Sequence, residues 1–225
     1  MRCIIVRKNR ILTVFNIIIA LTVAVSLGIT VIAVERSDSE GFVPVRRVDT
    51  KREVIALTVN VYECDDVSVY MSTFEKVKVT FFISEDFQEN YPGKVKEIYE
   101  NGHSIGILLD CNTSYSENEL YDILSVRIER MARIIGKNVD IIRFGGESYD
   151  RTVIKNIYGL GLLPVQWSDN DGRLSAGDII LISDPSSAGN IIKKTVAEGF
   201  ETATVDEIIL KNGFKVDCNG SQNAG

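Results

Sequence analysis

The sequence contains almost no histidine: His103 is the one imidazole among 225 residues. Imidazole is the commonest metal ligand in proteins, and it is also the side chain most often used as a general acid or base. A catalytic zinc centre of the usual kind needs several such groups around one ion. The composition therefore excludes a site that depends on several histidines acting together.

Cysteine is also scarce, and basic residues are outnumbered by acidic ones. The four cysteines, Cys3, Cys64, Cys111 and Cys218, form no CxxC pair and show no zinc-finger spacing. Cys3 precedes a long apolar segment, which leaves an odd number of cysteines after it, so a dense disulfide framework is not expected. The formal net charge is -6, and a chain with this balance offers no electrostatic basis for binding nucleic acid.

Charged residues are absent from residues 11–34. At about 1.5 Å per residue, this stretch is long enough to span a hydrocarbon core of about 30 Å. Basic residues precede it and mainly acidic residues follow, so the positive-inside rule places residues 1–10 in the cytoplasm and the rest outside. The pattern predicts a transmembrane signal-anchor. The alternative is a signal peptide cleaved near residues 31–33, although the apolar core exceeds the roughly 7–15 residues typical of such signals.

The remainder of the chain is predicted to have three parts. Residues 35–52 mix polar and charged side chains with Gly41 and Pro44, which indicates a stalk. Residues 53–211 are predicted to form the folded domain. Residues 212–225 are predicted to be a C-terminal tail, and its small polar end is expected to fray.

Within the folded domain, β-branched runs alternate with amphipathic stretches. The expected strands are 54–59, 79–84, 104–109, 141–144, 163–167 and 179–183. The expected helices are 94–101, 116–135, 150–158 and 188–198, while 203–209 is open as a final strand or a short helix. This alternation predicts an α/β fold with a parallel sheet or barrel, whose ligands lie at the C-terminal strand ends.

The most specific stretch is residues 77–106, VKVTFFISEDFQENYPGKVKEIYENGHSIG. It resembles the NodB-homology polysaccharide deacetylases, carbohydrate esterase family four, which share a KATFF-type strand, a YP-x-x-V-K helix start and a GH-x-IG turn. The later segments GLGLLPVQWSDND and GDIILISD match that family in the same order, so the resemblance covers residues 53–210. It implies a distorted (β/α) barrel, a bacterial source, cell-wall glycan as substrate and a packing role for His103.

The resemblance also implies where the catalytic residues of that family would lie, and this chain lacks them. A TFDDG motif supplies the catalytic base and a metal ligand, and an HxxxH pair supplies two more ligands. An LLHD histidine is a general acid, and a WxxD motif adds an aspartate. The corresponding residues here are Asn60, Val61, Leu108, Asn112, Ser183 and Asn170. Because valine and leucine cannot coordinate a metal, we predict that the family's metal is not bound and that no cofactor is present.

Several side chains remain as candidates for a pocket at the strand ends. Arg143 is retained from the family's RPPYG loop, where the arginine orients the catalytic carboxylate; its partner would here be Asp184, Glu147 or a ligand anion. Cys64 and Cys111 are open as unpaired thiols, a disulfide or a nucleophile. Aromatic rings are suited to contact the apolar faces of sugars. The pocket candidates are Arg143, Trp167, Asp184, Asp110, Cys111 and Tyr62.

These observations predict a membrane-anchored, extracytoplasmic protein of the deacetylase family that binds or acts on cell-wall glycan without metal-dependent hydrolysis. Its predicted partners are the membrane, through residues 11–34, cell-wall glycan and a protein of the cell envelope.

Two other functions stay open at this point. One is a hydrolase of N-acetyl C–N bonds with a rebuilt site that uses Asp110, Asp184 or Arg143, or a cation held by loop carboxylates. The other is a non-catalytic structural or interaction module, in which apolar side chains fill the former pocket. Those side chains are Val61, Leu108 and Phe144.

Overall fold

Parallel strands form the main sheet of the computed structural model, which describes residues 42–109, 115–146, 149–169 and 171–224. The strands are β1 (Arg47–Val48), β2 (Val54–Val61), β3 (Thr80–Ile83), β4 (Ser104–Leu109), β5 (Ile141–Phe144), β6 (Leu163–Pro164), β7 (Ile179–Leu181), β8 (Glu201–Ala203), β9 (Phe214–Val216) and β10 (Ser221–Ala224). The main sheet has the order β6-β5-β4-β3-β2-β7, and β8 also pairs with β2. All of these pairings are parallel, which confirms the α/β class.

The predicted membrane segment, residues 11–34, lies outside the described residues, as do the predicted cytoplasmic N-terminus and residues 35–41 of the predicted stalk. Within the described ranges, no helix combines the length and the apolar character needed to cross a membrane.

Helices connect the strands, and local sequence sets their ends. They are α1 (Val67–Thr73), α2 (Glu85–Asn90), α3 (Pro92–Glu100), α4 (Glu117–Ile135), α5 (Arg151–Gly159), α6 (Pro185–Ala197) and α7 (Val205–Ile208). The longest, α4, starts with a capping box between Ser116 and Glu119. It ends at Gly136, whose φ of 74° is favourable for glycine. One stripe of α4 faces the core; its buried residues are Leu120, Leu124, Arg127, Met131 and Ile135.

The predicted strands 104–109 and 141–144 have the observed bounds. The strand predicted at 54–59 continues to Val61, and the other three are shorter than predicted. The open segment 203–209 contains both alternatives, because β8 ends at Ala203 and α7 follows. Two helices were missed, α1 and α2. Both are short, and α1 depends on an N-cap in which the Asp66 carboxylate accepts the Ser68 N–H at 3.0 Å.

Residues 45–48 join the two edges of the main sheet, although they were predicted to belong to a stalk. The Val45 N–H donates to the Pro164 carbonyl at 2.8 Å, at the end of β6. On the other side, the Val48 N–H donates to the Gly177 carbonyl at 2.9 Å, just before β7. A single extended segment therefore spans the gap of a curled half-barrel. The prediction of a free stalk is wrong for these residues, since the backbone groups of both edges need partners.

The C-terminal residues are also ordered into the fold. β9 and β10 form an antiparallel pair, and β10 pairs in parallel with β1. Gln222 is buried, and its side chain exchanges hydrogen bonds of 2.7 Å with the Leu210 backbone. The expected fraying of this tail is therefore wrong. Composition suggested it, but Gln222 and the backbone of β10 are held by long-range hydrogen bonds that a local reading does not detect.

The close approach of residues 45–48 to the sheet predicts a large effect at Gly177. A Cβ atom added there would lie 1.8 Å from the Val48 carbonyl oxygen, at a φ of +80°. Gly199 has a similar φ of +86°, but a Cβ there meets nothing within 4 Å. We expect Gly199→Ala to lower the free energy of unfolding by about 1 kcal/mol, from backbone strain alone. Gly177→Ala should cost about 3 kcal/mol or more, because it adds a backbone clash.

Urea denaturation of the two variants checks this difference. Equal losses at Gly177 and Gly199 would mean that residues 45–48 do not pack against β7 as described.

Candidate functional site

Neighbouring strands bring Asn60, Leu108 and Arg143 to the carboxyl edge of the main sheet. Leu108 on β4 is in register with Arg143 on β5, and Asn60 on β2 is in register with Phe82 on β3. Side chains alternate along a strand, so Thr58 and Asn60 project from the same face of β2. Ligands of parallel α/β folds lie at this edge, and the predicted location of the site agrees with it.

Arg143 is buried beneath this edge, with 0% of its surface exposed. Its Nη1 donates to Thr58 Oγ1 at 2.7 Å and to Asn60 Oδ1 at 3.3 Å. The guanidinium carbon lies 4.0 Å from the centroid of the Phe82 ring and 5.7 Å from that of Trp167. Nε and Nη2 have no hydrogen-bond partner among the described residues. The side chain is thus held by one nitrogen and by contacts between its charge and aromatic rings.

The charge of Arg143 is not balanced by a carboxylate in the described part of the chain. Its hydrogen-bond partners, Thr58 and Asn60, are neutral. Burial lowers the pKa of Arg143 to about 9, because the charged form loses its hydration, and the Tyr62 phenol opposes this effect. At pH 7 the group is still protonated. Among the described residues, the sheet edge therefore contains a buried cation without a counter-charge, which is an unfavourable state for a protein interior.

The positions predicted to correspond to metal ligands hold apolar side chains that belong to the core. Val61 is 0% exposed and Leu108 is 3% exposed. Ser183, at the position of the general acid, is exposed, while Asn112 and Asn170 lie outside the described residues. No group of three or more histidine, cysteine, aspartate or glutamate side chains suited to a metal occurs in the described ranges. The side chains that the structure describes at the strand ends do not form a donor set for a divalent metal.

Asp184 is engaged by its own helix rather than by Arg143. It is the N-cap of α6, and its carboxylate accepts the Ser187 N–H at 3.0 Å and the Ser186 hydroxyl. These hydrogen bonds, with that of the Ser186 side chain the largest cause, lower the pKa of Asp184. The alternative in which Asp184 neutralises Arg143 is therefore wrong. The pocket candidates Asp110 and Cys111 lie outside the described residues, as does Glu147.

Aromatic side chains surround the mouth of the site. Tyr62 is 43% exposed, and its hydroxyl donates to the Gly145 carbonyl at 3.3 Å. Trp167 is half-buried beside Arg143, and Tyr149 packs with its ring 5.6 Å from that of Phe144. Tyr62 and Trp167 therefore lie where the sequence predicted a surface for sugar rings.

A groove of about 710 Å³ opens beside Tyr149. Residues 45–48, the loop after β6 and the turn between β9 and β10 form its walls; its lining includes Arg46, Arg47, Tyr149, Ser168 and Asp169. Arg46 bridges the walls, since its guanidinium donates to the Trp167 carbonyl at 3.2 Å and to the Tyr149 hydroxyl at 3.4 Å. The volume is typical of small-molecule sites. This groove was not predicted from the sequence, because Arg46 was assigned to a stalk.

Arg127 is a second buried arginine, and its burial was not predicted from the sequence. From α4 it donates to the carbonyls of Ile83 and Leu108, each at 2.8 Å, and to Gln88 Oε1 at 3.3 Å. Ile83 is the last residue of β3 and Leu108 is the residue before the end of β4, so Arg127 fixes the strand ends next to the site. Its position on the buried stripe of α4, where only apolar residues were expected, was the available signal.

His103 has the packing role that the resemblance implied. It is buried, its Nδ1 accepts the Val79 N–H at 3.3 Å, and its ring lies 5.2 Å from that of Phe81. Cys64 and Cys218 are exposed free thiols. Cys64 is therefore not disulfide-bonded in this structure, and it has no imidazole beside it.

The family model of polysaccharide deacetylases matches residues 47–165. This range is more than half of the 225 residues, and the chain belongs to the polysaccharide deacetylase family. No curated protein matches the chain.

Solved structures with the same fold include active and inactive proteins. A family 4 carbohydrate esterase from Bacillus anthracis is 20% identical, with a TM-score of 0.65 over 75% of this chain and 87% of that chain. A CE4 family pseudoenzyme from Bacillus anthracis is 16% identical, with a TM-score of 0.67 over 76% and 70%. A mutant of it with restored enzymatic activity is 16% identical, with a TM-score of 0.66 over 76% and 72%.

A further match is the Bc1960 peptidoglycan N-acetylglucosamine deacetylase, which is 19% identical. Its TM-score is 0.64 over 76% of this chain and 91% of that chain. At these identities, the similarities establish the curled α/β fold.

The hydrogen bonds of Arg127 predict that it stabilises the strand ends. Arg127→Met keeps the apolar volume but leaves two buried carbonyls and Gln88 without donors, so we expect a loss of about 3 kcal/mol or more in the free energy of unfolding. The matched control is Arg130→Met on the same helix, which removes one surface ion pair with Glu89 and should cost about 1 kcal/mol or less. Chemical denaturation measures both; similar losses at the two positions would contradict the positioning role of Arg127.

The surroundings of His103 predict a pH-dependent stability. Burial, followed by the charge of Lys78, lowers the pKa of His103 to about 4. The unfolded chain takes up a proton near pH 6.5 and the folded chain does not until about pH 4, so stability falls as the pH drops through this window. The slope is at most about 1.4 kcal/mol per pH unit. Because the chain has a single histidine, one imidazole NMR signal should titrate near pH 4. Between pH 7 and 5, the free energy of unfolding should fall by about 2 kcal/mol less in His103→Gln than in the parent. An imidazole signal that titrates near pH 6.5 would contradict the prediction.

Proposed function

We propose that this protein is an extracytoplasmic, membrane-anchored member of the polysaccharide deacetylase family that binds cell-wall glycan and does not catalyse metal-dependent deacetylation. In this proposal its fold is the distorted (β/α) barrel of that family, with residues 11–34 as the anchor. The outer position rests on the basic residues before this segment and the acidic residues after it.

The observation that carries the loss of hydrolysis is the burial of Val61 and Leu108 at the places of metal ligands. Neither side chain has a donor atom, and both belong to the apolar core. Metal-dependent ester and amide hydrolysis needs the ion to activate a water molecule and to polarise the acyl carbonyl. Asn60, at the place of the base, is an amide that accepts a hydrogen bond from Arg143. An amide cannot take up a proton as a carboxylate base does.

The support for glycan binding comes from the family and from the shape of the site. One solved relative is named as a peptidoglycan N-acetylglucosamine deacetylase, and another as a pseudoenzyme. The groove beside Tyr149 and the exposed ring of Tyr62 offer polar groups and aromatic faces of the kind that hold sugars. In this proposal the protein binds the glycan ligands of its family but does not catalyse the metal-dependent deacetylation of that family.

A structural or interaction module is the second candidate, and one observation favours it. Phe144 is buried together with Val61 and Leu108, so apolar side chains occupy part of the space that a catalytic site would need. A protein partner in the cell envelope would then replace glycan as the ligand. The rebuilt hydrolase has less support, because Asp184 is committed to capping α6.

Two measurements on the full chain in mild detergent test the proposal. The first is acetate release from N-acetylated chitooligosaccharides and from peptidoglycan with added zinc, where we expect no release above a blank. The second is co-sedimentation with insoluble peptidoglycan, where we expect binding that Trp167→Ala weakens at least tenfold, by about 1.4 kcal/mol. The control for this loss is Tyr121→Ala, since Tyr121 is an exposed ring on α4.

Acetate release at enzymatic rates by the unmodified chain would overturn the loss of hydrolysis. Absence of peptidoglycan binding, or an equal effect of Trp167→Ala and Tyr121→Ala, would instead favour the structural module. A variant that combines N60D, V61D, L108H and N112H tests the cause of inactivity; restored acetate release would assign it to these positions.

A further inference from the structure

We propose that Arg143 is a receptor for a single carboxylate group, which a ligand supplies in place of a carboxylate of the chain. This inference goes beyond glycan binding and does not depend on it, because it concerns the buried cation and not the groove. It rests on the hydrogen-bond geometry of Arg143, on its aromatic contacts and on the acceptors available in the described part of the chain.

The two idle nitrogens of Arg143 form one edge of the planar guanidinium. Nη1 is occupied by Thr58 and Asn60, at 2.7 and 3.3 Å. Nε and Nη2, which are without partners among the described residues, carry N–H bonds that point in parallel from the opposite edge. Two parallel donors at this spacing match the two oxygens of one carboxylate in a bidentate pair. The unoccupied edge is therefore selective in shape as well as in charge.

The aromatic contacts do not satisfy the N–H bonds of this edge. Phe82 lies 4.0 Å from the guanidinium carbon and Trp167 lies 5.7 Å from it, so rings accompany the guanidinium beyond the two hydrogen bonds of Nη1. Rings attract the charge but do not accept its N–H bonds in the way that oxygen does. An in-plane anion is thus the partner that satisfies both the charge and the two donors.

No carboxylate in the described ranges takes this role. Asp184 caps α6, and the residue that faces Nη1 is the amide Asn60. A ligand would enter from the carboxyl edge of the sheet, where Asn60 is partly buried and Tyr62 is 43% exposed. The expected ligand is therefore a small carboxylate, or the carboxylate end of a larger molecule.

The experiment uses Trp167, the single tryptophan of the chain, as a fluorescent reporter next to the guanidinium. The full chain in detergent is titrated at pH 7 with sodium acetate or sodium formate, and sodium chloride is added to keep the ionic strength constant. We expect a saturable change in Trp167 emission and a rise in melting temperature of about 3 °C at roughly tenfold the dissociation constant. Chloride alone should give neither.

Asn60→Asp is the decisive variant, since it places a carboxylate of the chain beside Arg143. It should melt higher than the parent, and its affinity for acetate should be at least tenfold weaker. Arg143→Gln should show no saturable response. If Arg143→Gln does not fold, the comparison between the parent and Asn60→Asp still decides the matter.

Three results would overturn the inference. The first is the lack of a saturable acetate or formate response in the parent, and the second is an undiminished response in Asn60→Asp. The third is an equal response to chloride, which would replace a carboxylate receptor by a general anion site. Glu147→Gln tests whether Glu147, which lies outside the described residues, is the partner of Arg143. A response to acetate that appears only in this variant would mean that the Glu147 carboxylate already pairs with Arg143, and the inference would fail.

Discussion

The guanidinium of Arg143 lies at the carboxyl edge of the parallel sheet, and the described side chains that hold it there include no carboxylate. Thr58 and Asn60 satisfy one nitrogen, and Phe82 and Trp167 contact the charge. Burying a cation costs several kcal/mol unless hydrogen bonds and an opposite charge compensate. The free-energy cost of burying the charge of Arg143 therefore lies at the centre of the site. This charge limits which ligands can bind at the sheet edge.

The apolar side chains beside Arg143 explain why the family's chemistry is not expected here. Val61 and Leu108 belong to the core, so these two positions at the sheet edge offer no donor atom to a metal. The scaffold around it is nevertheless complete. Arg127 ties the ends of β3 and β4 to α4, and residues 45–48 join β6 to β7.

The sequence predicts the sheet and its helices well because they are local in origin. The β-branched run of β2 predicts a strand from a few residues, and the capping box at Ser116 predicts a helix start in the same way. The closure by residues 45–48 and the order of β10 could not be predicted, because both depend on partners more than 100 residues away, such as Pro164 for Val45 and Val48 for Gln222. Similarly, the resemblance placed Asn60 and Arg143 together. That Nε and Nη2 of the guanidinium have no partner among the described residues could be found only from the structure.

The most direct measurement of the central claim is a calorimetric titration of zinc into the full chain at pH 7. A site whose ligand positions hold Val61 and Leu108 should bind no stoichiometric zinc, and the melting temperature should not change on addition of the metal. Binding of one equivalent at micromolar affinity or tighter, with a rise in melting temperature, would contradict the account and would show that a metal site exists at this sheet edge.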